Sequence, residues 1–296
     1  MTPPAIAPEK LTVRKAIGWS IAFVMLGIGF SAVLLCVWAW LLYGNVTRGL
    51  TTLTLPGPAQ AIAAGSSQLV SFAFATWLIG FRILHLGRSQ LRWAKPQIGV
   101  PGLGAGLLLG GAAAAGTLLS AVLVANSHWI RDNGGLGDYV TQVAKNSMVL
   151  APAALSEELL FRGVPLVLLA AVLGRGTALV IVAGLVFALF HIVNPGITPL
   201  GMGNIALAGI FLGVAFYAPG GLWTAFGAHL GWNAMLAALD APVSGLPFSI
   251  PYIDYRAGEP VWLSGGGFGP EGGLLATAAI TAALLFTLRW IRRDPT

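Results

Sequence analysis

Residues Ala16–Tyr43 run without one charged side chain, and that stretch decides most of what the chain can become. About 20 consecutive apolar residues cross the hydrocarbon core of a bilayer as a helix. Similar runs recur along the chain, which is 56% hydrophobic and only 9% charged over 296 residues, with a mean hydropathy of +0.82. A soluble domain of this length carries about 25% charged residues. The sequence therefore describes an all-α, polytopic membrane protein, a single membrane domain over residues 1–296. Lys10, Arg14 and Lys15 ahead of the first run resemble the start of a secretion signal. The run is too long for that role and no small-residue cleavage site follows it closely, so it is read as a retained first span.

Eight segments are expected to cross, at roughly 17–43, 60–83, 102–126, 144–172, 177–193, 199–218, 221–239 and 271–291. Gly102, Gly106 and Gly110 recur every fourth residue on the third; small residues at that spacing make a packing surface for a neighbouring helix. The net charge of +6 does not imply nucleic-acid binding, because the basic residues sit at the ends of apolar runs and not in a cluster. They orient the spans instead. Lys10, Arg14 and Lys15 precede the first span and only Arg48 follows it. Arg82, Arg88, Arg92 and Lys95 cluster at the next connection, Arg131 and Lys145 flank the one after, Arg175 lies between spans 4 and 5, and Arg289, Arg292 and Arg293 lie at the end of span 8. This alternation places both termini in the cytoplasm. A composition rich in Ala and Gly reads as prokaryotic, hence a multi-pass protein of the plasma membrane. The single cysteine, Cys36, excludes an intramolecular disulfide and any four-cysteine metal site. The long connection 240–270, rich in Gly, Pro and aromatics, is expected to be an ordered cap or re-entrant segment.

Ionisable groups inside spans are costly and mark function. Three spans carry them: LSEELLFRG (155–163) on span 4, FALFH ending at His191 on span 5, and HLGWN from His229 to Asn233 on span 7. Glu158 and Arg162 stand at i,i+4 and share a helix face, where an ion pair would neutralise both. Glu157 points about 100° away and lacks that partner. Phe187 shares a face with His191, and His229 with Asn233. Turned toward one another, these faces would collect the groups that hydrolyse an amide. A carboxylate activates water, imidazoles orient it or move protons, and a carboxamide donates to the developing oxyanion.

At these residues the chain resembles the CAAX protease and bacteriocin-processing (CPBP) family of intramembrane endopeptidases, which includes the Ras-converting CAAX proteases. EELLFR fits its EExxxR motif, FALFH its FxxxH motif and HLGWN its HxxxN motif, over a catalytic core at about 144–240. GGGFGPEGG (265–273) also looks like a segment of bacterial members. The resemblance implies an eight-helix fold with a cavity among helices 4, 5 and 7. It makes Glu157 the base, Glu158 and Arg162 its support, His191 and His229 the groups acting on the water, and Asn233 the oxyanion donor. It also implies a peptide or protein substrate in or at the membrane, lipidated or not, but does not choose it.

Two His with a Glu would suffice for a zinc site, and if a metal were used Glu157, His191 and His229 would be its ligands. The His partners one turn away are Phe187 and Asn233, poor zinc ligands, and Arg162 opposes a dication. The expectation is a glutamate-activated water with no obligatory cofactor. A transporter with a Glu/His proton relay, or a non-catalytic peptide-binding or immunity scaffold, is the alternative. A transporter often shows inverted, repeated halves, and spans 1 to 3 carry no counterpart of these polar residues. GLGD (135–138) sits beside Arg131, Asp132 and Asn133, a polar loop and not an intramembrane aspartyl site; HExxH is absent.

Overall fold

The computed structural model describes residues 11–53, 58–174 and 176–293; Lys10 and Arg175, used above for orientation, lie outside them. Four of the described helices are long and apolar enough to cross a membrane: Val13–Tyr43, Ala59–Ile83, Pro96–Ala125 and Leu274–Arg293. The chain forms two compact units, one of Met1–Leu91 with Val149–Gly176, the other of Arg92–Met148 with Thr177–Thr296.

In the first unit α1 (Val13–Tyr43) is capped by Thr12, whose hydroxyl accepts from the Lys15 N–H, and ends at Gly44 in the left-handed region. That turn folds α2 (Val46–Leu53) back onto α1, with Gly49 lying directly on Ala39. The helix α3 (Pro58–Ala75) continues as a π-helical stretch, Thr76–Ile83, and packs on α1. Their contact is close because Gly27 leaves room for the Phe72 ring, which also meets Phe23 at 5.8 Å between centroids.

The second unit is built on α4 (Pro96–Ala125) and α9 (Leu222–Ala238). Gly102, Gly106 and Gly110 all face α9 or the turn before it, and Gly227 and Gly231 answer from the other side; a Cβ at Gly110 would run into the Ala228 carbonyl. The stripe of small residues is therefore a helix-packing surface, and it fixes the helix that carries His229 and Asn233. The α7 helix (Thr177–Leu189) crosses α8 (Pro199–Ala215) at Gly184 and Gly209, again backbone on backbone. Arg92 closes the end of α8, donating to the carbonyls of Phe216, Tyr217 and Ala218 at 2.8, 3.1 and 3.3 Å. A cation there satisfies carbonyls the helix leaves open.

Three sequence expectations are corrected. Span 4 is not continuous: α5 (Leu136–Arg162), which begins in the second unit and ends in the first, stops before Gly163. After it α6 (Val164–Leu173) restarts with Pro165, which has no N–H to continue the ladder. Span 5 ends at Leu189, so His191 lies beyond the helix. The last helix, α11, is Leu274–Arg293, within a few residues of the expected 271–291. Finally, the fold is not purely helical. Strand β1 (His128–Arg131) pairs antiparallel with β2 (Ile253–Arg256), His128 opposite Arg256.

The 240–270 connection is ordered. Two aspartates hold its first half: Asp132 accepts from the Gly134 and Tyr252 amides, and Asp240 from the Ile250 and Tyr255 amides at 3.0 and 2.9 Å. Burial pushes the Asp240 carboxyl above its ordinary 3.8 in spite of both donors. A single turn, α10 (Val261–Ser264), and two 3-10 turns, Gly266–Phe268 and Pro270–Gly272, complete it. Asp138 of GLGD lies in the first turn of α5 and accepts from the Gly135 N–H at 3.3 Å, a helix-start role.

Candidate active site

The first unit holds the carboxylate group of candidates. Glu158 and Arg162 are both fully buried and paired at 3.0 Å between Oε1 and Nη1. The i,i+4 spacing puts them on one face, and the Phe161 ring lies 5.7 Å from the guanidinium carbon. Glu157 is only partly buried. Contrary to the expectation that it lacks that partner, it lies within electrostatic reach of Arg162. Ser156, just before it, donates to the Ala153 carbonyl and to Gln68 Oε1 of α3.

The second unit holds the rest. His191, His229 and Asn233 line one pocket, together with Phe187, Trp232, Ser244, Glu271 and an apolar side that includes Ile205, Phe211 and Leu212. The pocket combines an apolar wall with a few polar groups.

Local chain geometry sets His191. The last turn of α7 tightens, so the His191 amide donates to the Ala188 carbonyl, three residues back. The Phe187 carbonyl is taken by the His191 ring, with Nδ1 2.8 Å away. A carbonyl only accepts, so Nδ1 carries the proton, and in the neutral ring Nε2 keeps the lone pair. That is the form that can take a proton or bind a Lewis acid. The helix does not resume after this turn, because Asn194 precedes Pro195 and is held out of the helical region.

Phe187 stands in aromatic contact with both imidazoles, 4.6 Å from the His191 centroid and 6.0 Å, edge-on, from His229. The Phe of FALFH is thus a spacer between two histidines and not only a core residue. His229 is buried on α9, one turn before Asn233.

Three polar pocket residues were absent from the sequence candidates: Glu271, Trp232 and Ser244. Glu271 is buried; its carboxylate accepts from Trp232 Nε1 at 3.1 Å and from the Ser244 amide. The only sequence signals were an acidic residue inside the glycine-rich GGGFGPEGG and a Trp within HLGWN.

Among the described residues no three His, Cys, Asp or Glu side chains are grouped so as to hold a metal ion.

Residues 139–235 match the family model described as type II CAAX prenyl endopeptidase Rce1-like. This supports the CAAX protease resemblance carried by EELLFR, FALFH and HLGWN, all of which lie within the matched range, and it implies a protease. No curated protein and no solved structure matches the chain.

Proposed function

We propose, from the match of residues 139–235 to a CAAX endopeptidase family, that the chain is an intramembrane endopeptidase acting on a membrane-associated or lipidated peptide. The observation that carries the reading is the pocket of the second unit, where two histidines and a carboxamide line a partly apolar wall. Its chemistry is that of amide hydrolysis.

In this reading Glu157 is the base. It takes a proton from water as the oxygen attacks the scissile carbonyl carbon, forming a tetrahedral oxyanion. Asn233 and an imidazole N–H donate to that oxyanion, and donors of this kind typically contribute about 10²–10³ in rate. Glu157 then passes its proton to the leaving nitrogen as the C–N bond breaks, giving a carboxylate and an amine. His191, its Nδ1 held by Phe187, orients the water through Nε2. The Glu158–Arg162 pair holds the end of α5 without exposing a net charge. No metal is required by these steps.

The test uses the full chain in nanodiscs with an internally quenched peptide carrying a prenylated cysteine. Glu157→Gln is expected to fold normally and to cut the probe about 10²–10⁴-fold more slowly. Near-normal turnover in that variant assigns the base elsewhere. Chelation followed by removal of the chelator is expected to leave the rate unchanged; activity lost and restored by zinc replaces the water-only scheme with a metal site.

A further inference from the structure

His191 does not stand on a helix, and side chains on turns are placed only as well as their surroundings hold them. The holding contacts can be followed residue by residue. Asn194, at the end of the His191 turn, donates from Nδ2 to the Ser244 carbonyl at 3.0 Å. Ser244 itself adopts the left-handed region, with φ +51°. That conformation is costly for a residue with a side chain and persists only where the surroundings impose it. What imposes it is on either side. The Ser244 amide donates to Glu271 Oε2, and the next amide, Gly245, donates to the Phe268 carbonyl at 3.0 Å.

Glu271 is fixed in turn. Its Oε1 accepts from Trp232 Nε1 at 3.1 Å. Its main chain is gripped by buried Asn204 of α8, whose Nδ2 donates to the Glu271 and Gly273 carbonyls at 2.8 and 2.9 Å. The Asn204 Oδ1 accepts from the Thr277 hydroxyl at 2.6 Å. The network is satisfied at each member, which is what makes a buried polar cluster rigid.

We propose that Glu271 is a positioning residue of the site: its carboxylate ties Ser244, and through it the turn bearing His191, to the helix bearing His229 and Asn233. A carboxylate is needed because both of its neighbours are N–H donors. It is acceptor-only at both oxygens, whereas a glutamine would turn one N–H2 toward a donor and break one arm of the tether. The indole is equally specific, since Phe at 232 keeps the ring and removes the donor. This role rests on the hydrolytic reading above, because it is the geometry of the two histidines that the tether protects.

The test compares the full chain with Glu271→Gln, Glu271→Asp and Trp232→Phe in nanodiscs. Hydrogen exchange is read on a peptide spanning residues 243–247, and cleavage of the same prenylated-cysteine peptide is measured in parallel. Glu271→Gln is expected to speed exchange at Ser244 and Gly245 about tenfold or more while α4 and α11 stay protected. Its kcat should fall about 10–100-fold, the scale of a misplaced catalytic group, with KM within about twofold. Trp232→Phe should lower kcat in the same way. Glu271→Asp, which keeps two acceptor oxygens, should recover part of the loss. Unchanged exchange at Ser244 overturns the tether. Faster exchange with unchanged kcat overturns the positioning role, as does a kcat loss that only follows lost protection throughout α4 and α11. Failure of the hydrolytic reading is distinct, because it shows as no cleavage of the peptide by the unsubstituted chain, whatever the exchange at Ser244 does.

Discussion

Glu158 and Arg162 are fully buried at 3.0 Å from one another, so removing either charge takes an ion-pair partner from the other. Breaking one side of such a pair typically costs about 3–5 kcal/mol. Glu158→Gln and Arg162→Ala are each expected to lower thermal stability by that order, whereas a Glu158→Leu/Arg162→Met double variant should be less destabilised than either. Melting curves of the purified proteins decide it. Single variants that melt with the parent would show that the pair contributes nothing. This pair was legible in the sequence because its geometry is local: four residues apart on a helix means one face. Phe187 was legible as a neighbour of His191 because the two stand four residues apart, although the helix itself stops at Leu189. Glu271 was not. Its partners lie 27 and 39 residues away, at Ser244 and Trp232, and come to it only through the packing of separate segments.

At the scale of elements, hydropathy found the apolar helices but not their ends. A run of apolar residues looks the same whether the backbone continues or turns. The break at Gly163 comes instead from a single residue, Pro165, and the Asn194–Pro195 pair keeps the helix that ends at Leu189 from resuming. The two strands escaped notice because four-residue segments on separate connections carry no periodicity of their own. The glycine stripe was legible, and it makes a sharp prediction. Gly110→Ala drives a methyl group into the Ala228 carbonyl, one residue from His229, while Gly116→Ala on the same helix meets nothing within 4 Å. The first should destabilise by about 1–3 kcal/mol, as overpacking does. The second should be neutral or gain up to about 1 kcal/mol from helix propensity. Equal melting temperatures for the two variants would deny α4 a part in placing α9.

For the whole molecule, eight spans with both termini in the cytoplasm and the 240–270 connection opposite them remain our proposal, drawn from the distribution of basic residues. Reporter cysteines in a Cys36→Ala background test it. Thr2→Cys, in a segment outside the described residues, marks the terminus. On the connection the reporter belongs at Ala257, which is exposed, and not at Ser264, which is 1% exposed and donates to the Gly258 carbonyl. An impermeant maleimide should reach the two sites from opposite sides of the membrane; labelling of both from one side removes the eight-span arrangement. The pairing of β1 with β2 has a further consequence, for the order of assembly. His128 meets Arg256 only after the chain between them has been drawn into a closed loop. Long loops cost closure entropy before any contact rewards them, and contacts distant in sequence form slowly. The small sheet is therefore set to form late, after the helices between its strands, so that the cap closes on a unit whose helical packing is already complete.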